Sequence, residues 1–288
     1  VFIRFSTVMY DDVINLAEGL RQRLKLDHDD VQVWSTLHEV CLRMHCPAFS
    51  RDFYIKGVPV FVQWMMDTQE ASLVTQILRH TYAYENDDEI NYLMNMVYLL
   101  LEGEKPDIPG SVQLVQERRD WLVQGWSQLE EHISFSFESF VQFRLKGYRD
   151  CLERIVEKAI EEAKLEEEYQ SFIDTLRQFV ESRQYSDVTA RIRFGEHCQL
   201  FSEDFRLKRT DFLLEDWPSS IYAYEPGNSR SVVMAALLSL NPQQLIVYGD
   251  EVGEPMIQTI RNVFQERAVL RAKGQFDEDT RQWHLKNA

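Results

Sequence analysis

The chain has 288 residues, 44% of them hydrophobic and 12% aromatic, so it can bury one large core or two ordinary ones and is not a disordered segment. Lys and Arg number 31 against 47 Asp and Glu, a formal charge of −16. That charge repels phosphate backbones and anionic lipid, and no sizeable basic patch offsets it, which argues against nucleic-acid and membrane partners.

Val1–Phe5 alternates as a strand, and Tyr10–Leu26 follows as an amphipathic helix through Val13, Leu16, Ala17, Leu20 and Leu24. Asp27–Asp30 is a polar turn. Val31–Cys46 is compatible with helix or strand, but Val40, Leu42 and Met44 alternate with Cys41, Arg43 and His45, which favours a strand. Phe53–Lys56 is a further candidate strand, ended by a turn at Gly57–Pro59. Val60–Tyr84 is helical, and Asn86 or Asp87 caps the next helix, Asp88–Glu102, whose acidic first turn suits the helix dipole. Gly103–Gly110, with two Pro and two Gly, reads as a linker, after which Val112–His132 is helical. The longest apolar run, near Met96–Leu101, is far short of a membrane span, and the opening VFIRFSTVMYDD lacks a signal-peptide pattern. The expectation is a soluble, cytoplasmic protein. Four cysteines are too few for a disulfide scaffold in a chain this long.

The steadiest helical pattern runs over Ile133–Gln184. Phe137, Phe140, Val141, Tyr148, Leu152, Ile155, Val156, Ala159, Ile160 and Ala163 share one face, and the charges fall on the other. Ser136 is placed to cap it. The stripe resumes at Tyr169, Phe172, Ile173, Leu176, Phe179 and Val180. Like charges at Glu166, Glu167 and Glu168 suggest two helices joined near Lys164–Glu168. Beyond Gln184, Val188–Phe194 and Cys198–Phe201 form a plausible hairpin, followed by a buried helix at Val232–Leu240 and a strand at Leu245–Tyr248. A helix at Pro255–Glu266 and a candidate strand at Ala268–Leu270 complete a small α/β module.

The segment SFVQFRLKGYRDCLERIVEKAIEEAKLEEEYQSFIDTLRQFVESR resembles the core of the YtxC-like family. The matching residues are Phe140, Phe143, Arg144, Leu145, Lys146 and Tyr148 in an F-x-x-F-R-L-K-x-Y run, then Glu168, Tyr169, Phe172 and Ile173, then Phe179, Val180 and Glu181. A strand–helix unit over NPQQLIVYGDEVGEPMIQTIRNVFQERAVL extends the resemblance, which covers Ile133–Leu270 and weakens over the first hundred residues. It implies a link to endospore formation and supplies no reaction. Some members of the family end in a cysteine-bearing stretch, whereas Arg271–Ala288 has no Cys, which counts against carrying over a metal or redox role.

Among candidate sites, Arg144, Lys146 and Arg149 form a compact basic group set among Phe140, Phe143 and Tyr148. Arginine beside aromatics suits a phosphate, a carboxylate or an acidic partner; the competing reading is ion pairing within this acidic chain. Asn228, Ser229 and Arg230 precede a helix start that could hold an anion, though ordinary loop and cap chemistry accounts for them. Asp250, Glu251 and Glu254 follow a strand whose carboxyl end could face a ligand. His38, Cys41, His45 and Cys46 would gather around a metal on a helix but point to opposite faces on a strand, and the strand reading leaves no metal. Glu153, Glu157, Glu161 and Glu162 read as a solvated face.

Together these features give a predominantly helical α+β protein. The expected divisions are an N-terminal α+β region at 1–102, a linker at 103–111, a central long-helix region at 112–184 and a C-terminal α/β module with a polar tail at 185–288. The expected activity is that of an interaction or regulatory protein with one or more protein partners, self-association being the other option, and with no cofactor. The rival is a phosphate- or nucleotide-handling enzyme using Arg144, Arg149 and the Asn228–Arg230 loop.

Overall fold

The computed structural model describes residues 1–45, 53–106, 108–129, 133–195, 198–208, 229–250 and 255–287. It is a predominantly helical α+β structure with two four-stranded sheets. The chain divides into two compact units, Val1–Leu165 and Glu166–Ala288.

In the first unit, β1 (Phe2–Phe5) leads into α1 (Tyr10–Leu24), which buries Val13, Leu16, Ala17 and Leu20 as its stripe predicts. The ambiguous region that follows is two strands, β2 (Val31–Ser35) and β3 (Val40–Met44). Thr36 closes their turn, its hydroxyl and its N–H both donating to the Glu39 carbonyl. β1 pairs antiparallel with β3, Ile3 opposite Leu42. The fourth strand, β4 (Ser134–Ser136), arrives much later in the chain and lies parallel to β1, with Phe135 beside Ile3. The order is β2-β3-β1-β4.

Phe53–Lys56 is not a strand. Phe53–Gly57 is a π-helical turn that brings Phe53 and Gly57, both buried, over one another, and a Cβ at Gly57 would meet the Phe53 ring at 2.8 Å. Nor does Gly57–Pro59 stop the chain: Pro59 sits in the first turn of α2 (Val58–Trp64), where its missing N–H has no partner to lose. A second π turn, Met65–Gln69, separates α2 from α3 (Glu70–His80). Asn86 caps α4 (Asp87–Leu101), its side-chain oxygen accepting from the Asp88 and Glu89 N–H groups. Gly103–Gly110 joins α4 to α5 (Ser111–Trp126) within the first unit, and Gly103 and Gly110 both hold left-handed backbone (φ +76° and +79°), which explains the glycines there.

Ser136 caps α6 (Phe137–Phe143), accepting from the Ser139 N–H at 3.2 Å. The Glu138 carboxylate reaches back to accept from the Ser6 and Thr7 N–H groups, tying α6 to the end of β1. The break expected near Lys164–Glu168 is absent. α7 runs from Lys146 to Glu181, and the interruption falls at Arg144–Leu145 instead. Glu166, Glu167 and Glu168 are exposed, where like charges cost only tenths of a kcal/mol. At Leu145 the gain from burying a leucine is several times larger, and its N–H reaches the Phe140 carbonyl at 3.1 Å to close the bend.

The second unit packs the later part of α7, through Ile173, Leu176 and Val180, with a sheet ordered β6-β5-β7-β8. The strands are β5 (Ser186–Arg193), β6 (Gln199–Phe201), β7 (Pro242–Tyr248) and β8 (Ala268–Arg271). β5, β7 and β8 are parallel, with α8 (Ser229–Leu240) and α9 (Pro255–Phe264) in the crossovers; β6 pairs antiparallel with β5, as the hairpin reading expects. Ile192, Leu245 and Val247 face α8 and α9, and the alternate residues Ile246 and Tyr248 face the other side. Residues read as a polar tail form α10 (Gln275–Lys286), which closes that side through Phe276.

Candidate functional site

The F-x-x-F-R-L-K-x-Y run forms the corner where α6 meets α7, and the structure sorts its residues into two sets. Phe140, Leu145 and Tyr148 are buried; Phe143, Arg144, Lys146 and Arg149 face solvent, with Phe143 72% exposed. The corner is held by two positions of α5, Trp121 and Gly125, and by Gln128 just beyond its end. The Arg144 guanidinium donates to the Gln128 side-chain oxygen at 3.1 Å. Gly125 leaves room for Leu145, whose Cδ2 lies where a Cβ on residue 125 would otherwise be in hard contact. Trp121 lies against Gly147, its ring carbons 2.5–2.8 Å from where a Cβ on residue 147 would sit. The two glycines therefore admit a leucine and a tryptophan that a larger residue would displace.

Beneath the corner lies a buried polar cluster. The Tyr148 hydroxyl donates to Glu70 Oε2 at 2.7 Å, and Arg118 Nη1 donates to Glu70 Oε1 at 2.7 Å. All three residues are at least nine-tenths buried, and the Arg118 Nε has no partner among the described residues. Burial pushes the Glu70 carboxyl above its ordinary value, against the pull of the Arg118 charge and the Tyr148 hydrogen bond. Burial, then the adjacent Glu70 carboxylate, push the Tyr148 phenol well above its ordinary value. Such a cluster fixes which way α7 leaves the corner, since breaking it strands a buried charge. Nearby, burial also raises the Cys151 thiol, whose Sγ contacts the Leu114 carbonyl at 3.4 Å, so this cysteine is poorly nucleophilic.

Glu70 and Arg118 were not singled out in the sequence, yet both carry a signal. Glu70 lies four and seven residues before the buried Val74 and Ile77, and Arg118 lies four residues from both Leu114 and Leu122. A charge of each sign on an otherwise apolar helical face is a reason to pair them.

The structure does not assemble the other sequence-level sites. Asn228, Glu251, Glu254 and Cys46 lie outside the described residues, and Ser229 and Arg230 begin α8 without described side chains. His38 is exposed in the β2–β3 turn and His45 is exposed just beyond β3, while Cys41 is buried. No group of three His, Cys, Asp or Glu is placed to hold a metal among the described residues. On α7, Arg154 pairs with Glu117 of α5 at 2.7 Å and Glu162 with Lys105 at 3.3 Å. No helix among the described residues is long and apolar enough to cross a membrane.

The chain is 27% identical over 244 residues to the uncharacterised protein YtxC of Bacillus subtilis (strain 168), covering 85% of each chain. No solved structure matches it. The sequence model of the YtxC-like family matches residues 56–269, a span that includes Glu70, Arg118 and the whole α6–α7 corner. The chain belongs to the YtxC-like family.

Proposed function

We propose that this protein is a cytoplasmic interaction or regulatory protein of the sporulating cell, and that the α6–α7 corner is the surface it presents to an acidic protein partner. The link to endospore formation rests on the family resemblance. The surface rests on one observation: Phe143 projects into solvent beside Arg144, Lys146 and Arg149, on a corner whose remaining side chains are locked from below. Lys146 and Arg149 make no ion pair among the described residues, although the chain carries 47 carboxylate side chains. An exposed aromatic with exposed cations close by in the chain, on a rigid support, suits a partner that offers an apolar recess rimmed by Asp or Glu. Rigidity lowers the entropy lost on docking.

The test is purification of the tagged chain from sporulating cells beside a Phe143→Ser/Arg149→Glu variant and an Arg154→Gln control. A stoichiometric partner with an acidic surface, retained by the control and lost with the corner variant, supports the reading. A partner retained by all three, or none in any while the purified proteins give the same melting curve, overturns it.

A further inference from the structure

A groove of about 590 Å³ lies between α1 and α2 in the first unit, within the ~300–1,000 Å³ range of small-molecule sites. Gly19 and Val60 line it where the two helices pack tightly: a Cβ on Gly19 would lie 2.9 Å from Val60 Cγ1. Trp64 forms one wall and is held in orientation by its indole N–H, which donates to the Asp12 carbonyl at 2.8 Å. Three amide side chains, Asn15, Gln22 and Gln63, line the same groove.

Both π-helical turns open onto this groove. Ile55 and Lys56 come from the first, Asp67 and Thr68 from the second. A π turn forgoes regular helical bonding, and such turns concentrate at functional sites. Here two of them flank a helix of seven residues and line one cavity.

The charge balance is the reverse of the chain's. Arg23, Lys56 and Arg119 line the groove against a single carboxylate, Asp67, which accepts from Gln63 Nε2 at 2.7 Å. In a chain of net charge −16, Arg23 and Arg119 make no ion pair among the described residues, whereas Arg118, next to Arg119, pairs with Glu70. Two arginines lining a groove without carboxylate partners among the described residues raise the local concentration of anions and can bind oxyanions bidentately.

We infer that the α1–α2 groove is a binding site for a small oxyanion ligand, held by the arginines that line it, Arg23 and Arg119, and by Trp64 and the amides. Phosphoryl and carboxylate groups share this chemistry, and the measurement separates them. The purified full chain is titrated calorimetrically with sodium pyrophosphate, ATP and citrate, at an ionic strength matched with sodium chloride. Saturable binding is expected to at least one probe; preference for pyrophosphate or ATP marks a phosphorylated ligand, and preference for citrate a polycarboxylate. Arg23→Gln/Arg119→Gln is expected to weaken it by at least about tenfold, ~1.4 kcal/mol, and Arg154→Gln to leave it unchanged. Arg23 and Arg119 are exposed, so the double variant keeps its fold, which an unchanged melting curve without probe verifies. No binding of any probe above the chloride control, or binding equal in the double variant, overturns the assignment.

Discussion

The corner between α6 and α7 makes an unusual demand on a substitution series, because its sign depends on the background. At Gly125 an alanine methyl would fall on Leu145 Cδ2, and Leu145 is 1% exposed, with no solvent into which to swing. Overpacking of this kind costs about 1–3 kcal/mol. Against it stands the helix preference of Ala over Gly, about 1 kcal/mol. Gly125→Ala should therefore destabilise the native chain by about 1 kcal/mol. Leu145→Ala alone should cost about 2–5 kcal/mol through lost burial and the cavity left behind. In that background the obstacle is gone, and Gly125→Ala should stabilise by about 1 kcal/mol. The measurement is urea denaturation of the four proteins followed by tryptophan fluorescence, since Trp126 is fully buried in the same core. Equal destabilisation by Gly125→Ala in both backgrounds would refute the contact as its cause. Gly147→Ala is the companion: it meets Trp121, which is 40% exposed and can turn outward, so its effect should stay within about 0.5 kcal/mol.

Three further outcomes follow from the polar networks. Tyr148→Phe leaves Glu70 Oε2 short of a buried donor and should cost the first unit about 1–3 kcal/mol in denaturant melts, whereas the triple change Glu70→Leu/Arg118→Met/Tyr148→Phe should cost less than Arg118→Met alone. Because burial raises the folded-state value of Glu70, the stability tied to it is fully present below the unfolded carboxylate value and is lost as pH rises through the folded one. Glu70→Gln should remove that slope from a stability-versus-pH series. Asp279 of α10 behaves oppositely. Its burial would raise it, but the Tyr248 hydroxyl, donating at 2.7 Å, and Arg271 together lower it, so its contribution is present above the unfolded value and lost as pH falls through the folded one. Acidification should therefore speed amide exchange in α10 before the sheet, and Asp279→Asn should abolish that selective response.

Much of this architecture could be read locally. The stripe of α1, the Asn86 and Ser136 caps, and the alternation in β5 depend on neighbours a few residues away. The central stripe omitted both Phe143, which is exposed, and Leu145, which is buried. The helix break was misplaced because the glutamates at 166–168 look costly in a string of letters but lie in water, whereas the interruption at Leu145 is set by Gly125 on another helix. β4, three residues long, has no pattern of its own and exists because β1 offers it an edge. The Glu70–Arg118 pair spans 48 positions, so each residue alone looked like an ordinary charge on a helix. Phe53–Gly57 misled because an aromatic-rich run beside Gly and Pro looks like a strand and a turn, while the decisive fact is the burial of Phe53 beneath its own helix.

The parallel pairing of β1 with β4 also sets an order of events during synthesis. β1 is made first of the four strands, and the strand that covers its second edge follows roughly 130 residues later. At ~5–20 residues per second, the ribosome takes on the order of ten seconds to deliver it. Throughout that interval β1 can pair with β3 but keeps a row of backbone donors and acceptors open on its other side, a template for any extended segment nearby. The nascent first unit is most vulnerable to misassociation in that window, which closes when Ser134–Ser136 emerges and Glu138 ties down the backbone of Ser6 and Thr7.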